Sequence, residues 1–196
     1  MNGHRAHGFS SVHFLDSDEI LNELDLKGDE TFMDAGCGDG HIAIKVVEDY
    51  LPNGTVYAVD IYDASIEDME TYKNENNVEN LINIEADIPK GIPGVEDESV
   101  DVVLMVNVFH GFKASRTIDE AIKEFKRIIK KDGKIAIMDY KAWDVPKGPP
   151  TAFRSSSKEL EECFNKHDLK MIYLNEEIGE DIPEGKSHNF VVFQKE

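Results

Sequence analysis

The chain has 196 residues, 40% of them hydrophobic, which is long enough for one domain with a real core and too apolar for wholesale disorder. Its 40 acidic residues outnumber 21 basic ones, and a formal net charge of −19 argues against a nucleic-acid partner, which needs Lys and Arg to displace counterions. Cys37 and Cys163 build neither a disulfide framework nor a C-x-x-C zinc site, and no run approaches the ~20 apolar residues of a membrane span or the apolar stretch of a signal peptide. The expected location is therefore the cytoplasm.

Residues 1–15 carry His4, His7, His13, Phe9 and Phe14. Their spacing fits no standard metal-ligand pattern, so they read as a flexible tail or lid ahead of a domain over 16–196, with no metal expected. A short helix is predicted over 16–26, with Asp16 and Glu19 as a capping box and Ile20, Leu21 and Leu24 on one face. A strand at 31–33 runs into a glycine-rich loop. A helix follows over 42–51, with Ile42, Ala43, Val46, Val47, Tyr50 and Leu51 at helical spacing, and Pro52-Asn53-Gly54 stops it. Strand 55–59 ends at Asp60, helix 64–76 follows, and strand 81–86 ends at Asp87. The nearly continuous apolar run 100–106 reads as a strand buried on both faces.

Helix 117–130 has the plainest apolar stripe and a Thr117/Glu120 capping box. Its basic run (Lys126, Arg127, Lys130, Lys131) sits at the helix end, where cations complement the dipole. Strand 134–138, a proline-rich loop over 146–150, a helix capped by Ser156 and Glu159, and strands 171–174 and 190–193 complete the chain. Strands alternating with helices imply an α/β fold with a largely parallel sheet covered on both faces. Ligands then bind beyond the carboxyl ends of the strands. That gathers residues 34–40, Asp60, Asp87, residues 107–110 and Asp139 around one cleft.

Asp34-Ala35-Gly36-Cys37-Gly38-Asp39-Gly40 follows a strand and precedes a helix. A dinucleotide fingerprint needs its third glycine one place later, where His41 stands, and Asp34 would repel a phosphate. A cationic ligand without phosphate suits the loop better, and S-adenosylmethionine is one. Asp60 can accept the hydroxyls of a ribose, and Asp87 the exocyclic amine of an adenine. Each acid alone also reads as a turn residue or cap. Three acids at successive strand ends, together with the loop, match the amine, ribose and adenine of one ligand.

These segments resemble the class I S-adenosylmethionine-dependent methyltransferases. Phe32-Met33-Asp34-Ala35-Gly36-Cys37-Gly38-Asp39-Gly40 resembles the first motif of that family, Val59-Asp60 and Ala86-Asp87 its strand-end acids, and Ser99-Val100-Asp101-Val102-Val103 its fourth motif. Ile129-Lys130-Lys131-Asp132-Gly133-Lys134-Ile135 is similar to the turn before the fifth strand. The resemblance implies a Rossmann-like, seven-stranded, mostly parallel sheet with helices on both faces and its last strand, near 190–193, antiparallel. It implies a cofactor shell of Asp34, Ala35, Gly36, Cys37, Gly38, Gly40, Asp60, Ile61, Asp87, Ile88 and Asn107, and an N-terminal lid. Val106-Asn107-Val108-Phe109-His110, Lys147-Gly148-Pro149-Pro150 and Arg154 look like the small-molecule branch that includes the ubiquinone/menaquinone biosynthesis methyltransferases. Arsenite methylation by a cysteine set is disfavoured with only two cysteines.

Methyl transfer from a sulfonium is an in-line displacement, so positioning supplies much of the rate and a base is needed only where the acceptor carries a proton. His110, at the cleft mouth, is read as the catalytic candidate, a substrate contact or general base, against a structural histidine. Asp139 and Tyr140 either face substrate or cap a strand end. Arg154 either binds an anionic substrate group or offsets nearby acids. Trp143 and Phe153 either wall a pocket or anchor the core, and His41 lines or caps the loop. The expected partner is a small-molecule substrate, with no nucleic acid and no membrane span, in a monomer or homodimer. A protein acceptor, a non-catalytic S-adenosylmethionine-binding module and an NAD-dependent oxidoreductase stand as alternatives.

Overall fold

The computed structural model describes residues 15–145 and 147–195. The predicted tail and its three histidines therefore lie outside the described residues, apart from Leu15, as does Pro146 of the proline-rich loop. Seven strands form one sheet: β1 (Thr31–Ala35), β2 (Thr55–Asp60), β3 (Leu81–Glu85), β4 (Val100–Val106), β5 (Ile129–Tyr140), β6 (Leu169–Ile182) and β7 (Gly185–Lys195). Their order is β3-β2-β1-β4-β5-β7-β6, with β1 to β5 mutually parallel and β7 inserted antiparallel between β5 and β6. The expected α/β architecture, with its antiparallel last strand, is present. The order reverses between β1 and β4, so their carboxyl ends frame the crevice where such sheets bind ligands.

Each sheet face buries its own apolar layer, because successive strand residues point to opposite sides. Phe32 and Leu104 pack with Ile20, Leu21 and Leu24, with Ile42, Ala43 and Val46, and with Met69. These come from α1 (Ser17–Asn22), α2 (His41–Lys45) with its continuation, and α3 (Asp63–Asn76). Met33, Val103 and Met105 pack on the other side with Phe109, Phe112, Ile122, Phe125 and Phe164. Those belong to α4 (Phe109–Ser115), α5 (Ile118–Ile128) and α6 (Ser157–Asn165). Each fully buried Leu, Ile or Phe contributes about 1.5–3 kcal/mol of transfer free energy.

The departures from expectation have local causes. Helix α1 ends at Asn22, yet Leu24 stays buried through the following turn. The predicted helix over 42–51 widens after Lys45 into one turn of π-helix over Val46–Tyr50, closed by the Leu51 N–H donating to the Val46 carbonyl at 2.8 Å. Thr117 stands at the start of α5 but makes no side-chain cap, because its hydroxyl pairs with Ser115 Oγ at 2.7 Å. Asp16 does cap α1, and Ser156 with Glu159 forms the full reciprocal box on α6. Of residues 107–110, expected as a loop, Asn107 and Val108 remain outside any helix, but Phe109 and His110 open α4, so His110 sits in the first turn of a helix. The last hairpin is much longer than the apolar runs 171–174 and 190–193. Its edge strand β6 is largely exposed and its register slips three times, which hides any period-2 pattern.

Candidate active site

A cavity of about 780 Å³ opens at the carboxyl ends of β1 to β4. Of the twelve residues singled out from sequence, Asp34, Gly36, Cys37, Gly38, Asp60, Ile61, Asp87, Ile88, Asn107 and His110 line it. Ala35 and Gly40 lie behind its wall. Ala35 is buried in the core, and Gly40 caps α2 with φ +77°, where a Cβ would fall 1.8 Å from Met69 Sδ. Gly38, at φ +56°, is different: a Cβ there would meet nothing within 4 Å. The loop leaves open the volume into which a ligand can settle against the backbone.

The loop is tied to β2. Gly36 N–H and Cys37 N–H both donate to the Val59 carbonyl, at 2.7 and 3.0 Å. Asp60 Oδ2 accepts the Gly38 N–H at 2.8 Å and Oδ1 the Tyr62 N–H at 3.0 Å, so its carboxylate is held rigidly with lone pairs to spare. Asp34 is buried and accepts the Ala43 N–H of α2 at 3.1 Å. Burial pushes its carboxyl up to about 7, and the nearby charges of Asp60 and Asp39 push the same way. Burial also pushes the Cys37 thiol well above its usual range, which keeps it protonated and unreactive. Asp87 is half-buried and pairs with exposed Lys90 at 2.9 Å. His41 bonds Asp39 at 2.8 Å and lines the loop. Asp34, Asp39, Asp60, Asp68 and Asp87 all line the cavity, and no Lys or Arg does among the described residues. Such a wall favours a cation and repels phosphate.

The other end of the cavity holds a histidine–carboxylate pair. His110 donates its backbone N–H to Asp139 Oδ2 at 3.0 Å and sets its ring Nδ1 3.0 Å from Asp139 Oδ1. Asp139 is 6% exposed, does not line the cavity, and also accepts the Tyr140 N–H at 2.8 Å. It thus faces His110 rather than a substrate. With Nδ1–H donated to a carboxylate, Nε2 carries the free lone pair, and it has no partner among the described residues. Val108, Gly111, Phe112, Ser115 and Thr117 line the same cavity.

Two residues for which a substrate contact is one of two readings lie away from the cavity. Arg154 is 3% exposed and gives four of its five guanidinium N–H groups to the carbonyls of Trp143, Val145, Lys147 and Pro149, so it pins the proline-rich loop and does not line the cavity. Trp143 does not line the cavity; its ring lies under Lys141, with Nζ 4.3 Å from the centroid. One polar cluster escaped the sequence reading: His188 on β7, fully buried, reaches Asn107 Oδ1 with Nε2 at 3.0 Å. The only sign of it in the chain is the polar run Ser187-His188-Asn189 abutting an apolar strand. No group of three or more metal-type ligands occurs among the described residues, and no helix there is long and apolar enough to cross a membrane.

A family model described as a methyltransferase domain matches residues 26–185. A tRNA(Thr) (cytosine(32)-N(3))-methyltransferase of Saccharomyces cerevisiae is 30% identical over 59% of this chain and 19% of its own length. A demethylmenaquinone methyltransferase of Lactobacillus johnsonii is 23% identical over 62% of this chain and 48% of its own length. The chain spans about half the length of most curated relatives that it matches. Among solved structures, a SAM-dependent methyltransferase from Aquifex aeolicus superposes with a TM-score of 0.76 at 23% identity, covering 95% of this chain and 93% of the other.

Proposed function

The chain belongs to the methyltransferase-domain family, and from that premise we propose that it transfers a methyl group from S-adenosylmethionine to a small, neutral acceptor bearing an O–H, with His110 as general base. The observation that carries the reading is the pairing of two halves in one cavity, a glycine loop with aspartates beside it and a base held by a buried carboxylate opposite.

The residues fit the cofactor on three counts. Gly38 leaves its Cβ volume open and, among the described residues, buried Asp34 has no cationic partner and the wall carries acids without Lys or Arg. Asp34 would hold the ammonium, Asp60 the ribose hydroxyls and Asp87 the adenine amine, with Ile61 and Ile88 along the adenosine. The bound cofactor supplies an activated methyl carbon on a sulfonium. The protein's part is to hold the acceptor oxygen in line with it and to take the proton. The proton released by that oxygen would pass to His110 Nε2. Asp139 steadies the imidazolium that forms, much as a buried carboxylate does in other histidine bases.

An amine acceptor would arrive as a cation and need a carboxylate at the His110 end, where Asp139 is already engaged. A nucleic-acid acceptor, the class named for the yeast relative, is opposed by charge. Of the basic run at the end of α5 and the start of β5, three residues are held in ion pairs, Lys126 with Asp168, Arg127 with Asp97 and Glu124, and Lys130 with Asp101. An NAD-dependent reaction is opposed by the aspartates that line the cavity. Calorimetric titration with S-adenosylhomocysteine and NAD, followed by methyl transfer to a panel of phenols, quinols, amines, thiols and tRNA, tests the proposal. Binding of the first ligand and O-methylation support it. Binding of NAD alone, or transfer to tRNA, overturns it, and binding without any turnover favours a non-catalytic module.

A further inference from the structure

Ser187 and His188 are buried polar residues in β7, and nothing in the proposed reaction uses them. The His188 ring lies with its centroid 4.2 Å from that of Tyr140 and hard against Gly179, where a Cβ would fall 2.6 Å from Nδ1. The hydrogen bonds around it run in one direction. Asn107 Oδ1, 3.0 Å from His188 Nε2, can only accept, so Nε2 carries the N–H; Ser187 Oγ, which accepts the Glu180 N–H at 3.0 Å, lies 2.6 Å from His188 Nδ1. Burial lowers the imidazole to about 4, which leaves the ring neutral with a single N–H at neutral pH. That N–H is the one Nε2 donates to Asn107 Oδ1, so Nδ1 accepts the Ser187 hydroxyl proton.

Asn107 is thereby oriented. Its backbone is left-handed, at φ +59°, and its N–H donates to the Met138 carbonyl at 2.8 Å. Its carbonyl oxygen is taken by His188, while its Nδ2 has no hydrogen-bond partner among the described residues and the residue lines the cavity. An unpartnered amide beside a cavity is a donor awaiting an oxygen. The amino-acid end of S-adenosylmethionine brings a carboxylate into a cavity whose described wall offers acids and no Lys or Arg, so that carboxylate must be met by neutral donors.

We infer that His188 is a positioning residue that presents the Asn107 amide N–H₂ to the carboxylate of the bound cofactor. This rests on the S-adenosylmethionine reading above. The wild-type protein is titrated calorimetrically with S-adenosylhomocysteine and with 5′-methylthioadenosine, which lacks the amino-acid end. No binding of either overturns that reading and this inference with it. Where the wild type binds, Asn107→Ala and His188→Phe are each expected to weaken S-adenosylhomocysteine by about tenfold, the loss of one charge-assisted hydrogen bond. The double variant loses no more than either single, because both remove the same interaction. His188→Gln, whose amide puts a donor where Nε2 stood, retains most of the affinity, and 5′-methylthioadenosine binds all variants equally. Wild-type affinity in a folded His188→Phe, losses that add in the double variant, or an equal loss for 5′-methylthioadenosine overturns the inference and leaves the cofactor reading standing. If His188→Phe does not fold, Asn107→Ala and His188→Gln decide alone: unchanged affinity in the first, or a tenfold loss in the second, overturns it.

Discussion

At the β1–β2 end of the cavity the bonds that shape the site are local. Asp34 reaches Ala43 nine residues away, and Gly38 reaches Asp60 across 22 residues, between adjacent parallel strands. At the β4–β5–β7 end they span 29 residues from His110 to Asp139 and 81 from Asn107 to His188. The first end is a loop whose shape follows from its glycines. At the second, the parallel pairing of β4 with β5 brings Asp139 to His110, and β7, antiparallel beside β5, sets Asn189 opposite Asp139 and His188 opposite Tyr140. The glycine-loop end is therefore legible from short-range patterns, while the His110–Asp139 and Asn107–His188 pairs each join segments distant in the chain.

The contrast predicts separable effects. His110→Ala should lower kcat for any acceptor that the wild type methylates by about 10²–10⁴-fold, while leaving S-adenosylhomocysteine affinity within about twofold. A parallel loss of affinity, read by calorimetry, would dissolve the division between the two ends. Gly40→Val should cost more than ~2 kcal/mol of unfolding free energy in urea, because φ +77° strains any side chain and Met69 Sδ occupies the Cβ position. Unchanged stability would mean that α2 and α3 part easily. Asp60→Ala should weaken S-adenosylhomocysteine by more than ~1 kcal/mol, since it removes a charged acceptor and frees the Gly38 and Tyr62 N–H groups. Equal affinity would contradict the ribose assignment.

The smallest effect is one of pH. Asp34 titrates at about 7 in the folded chain against an ordinary value of about 3.9. Between those values the folded state keeps a proton that the unfolded state has lost, so this group lowers stability as pH rises from about 4 to about 7. The difference in urea midpoint between Asp34→Asn and the wild type should therefore grow in the variant's favour over that window. Because a bound ammonium favours the ionised carboxylate, wild-type affinity for S-adenosylhomocysteine should rise from pH 6 to 8 and that of Asp34→Asn should stay flat. A flat wild-type curve would remove Asp34 from contact with the ammonium.

The amino-acid sequence by itself determined the alternation of strands and helices, the glycine loop, and the acids at three strand ends. Each of these follows from short-range rules: apolar periodicity, the backbone freedom of glycine, and the place of ligands at strand ends. His110 was visible as a candidate for the same reason, since it follows the apolar strand β4. Its role was not, because a lone histidine carries no sign of whether a carboxylate stands behind it; Asp139 does. Arg154 looked equally free to bind an anion, and only the fold wraps four carbonyls around its guanidinium. Thr117 had the right spacing for a cap and spends its hydroxyl on Ser115 instead. His188 joins Asn107 through an inserted antiparallel strand. Such partners are set by which strands become neighbours, and strand order is a global outcome of burying both faces of the sheet, so no local pattern encodes it.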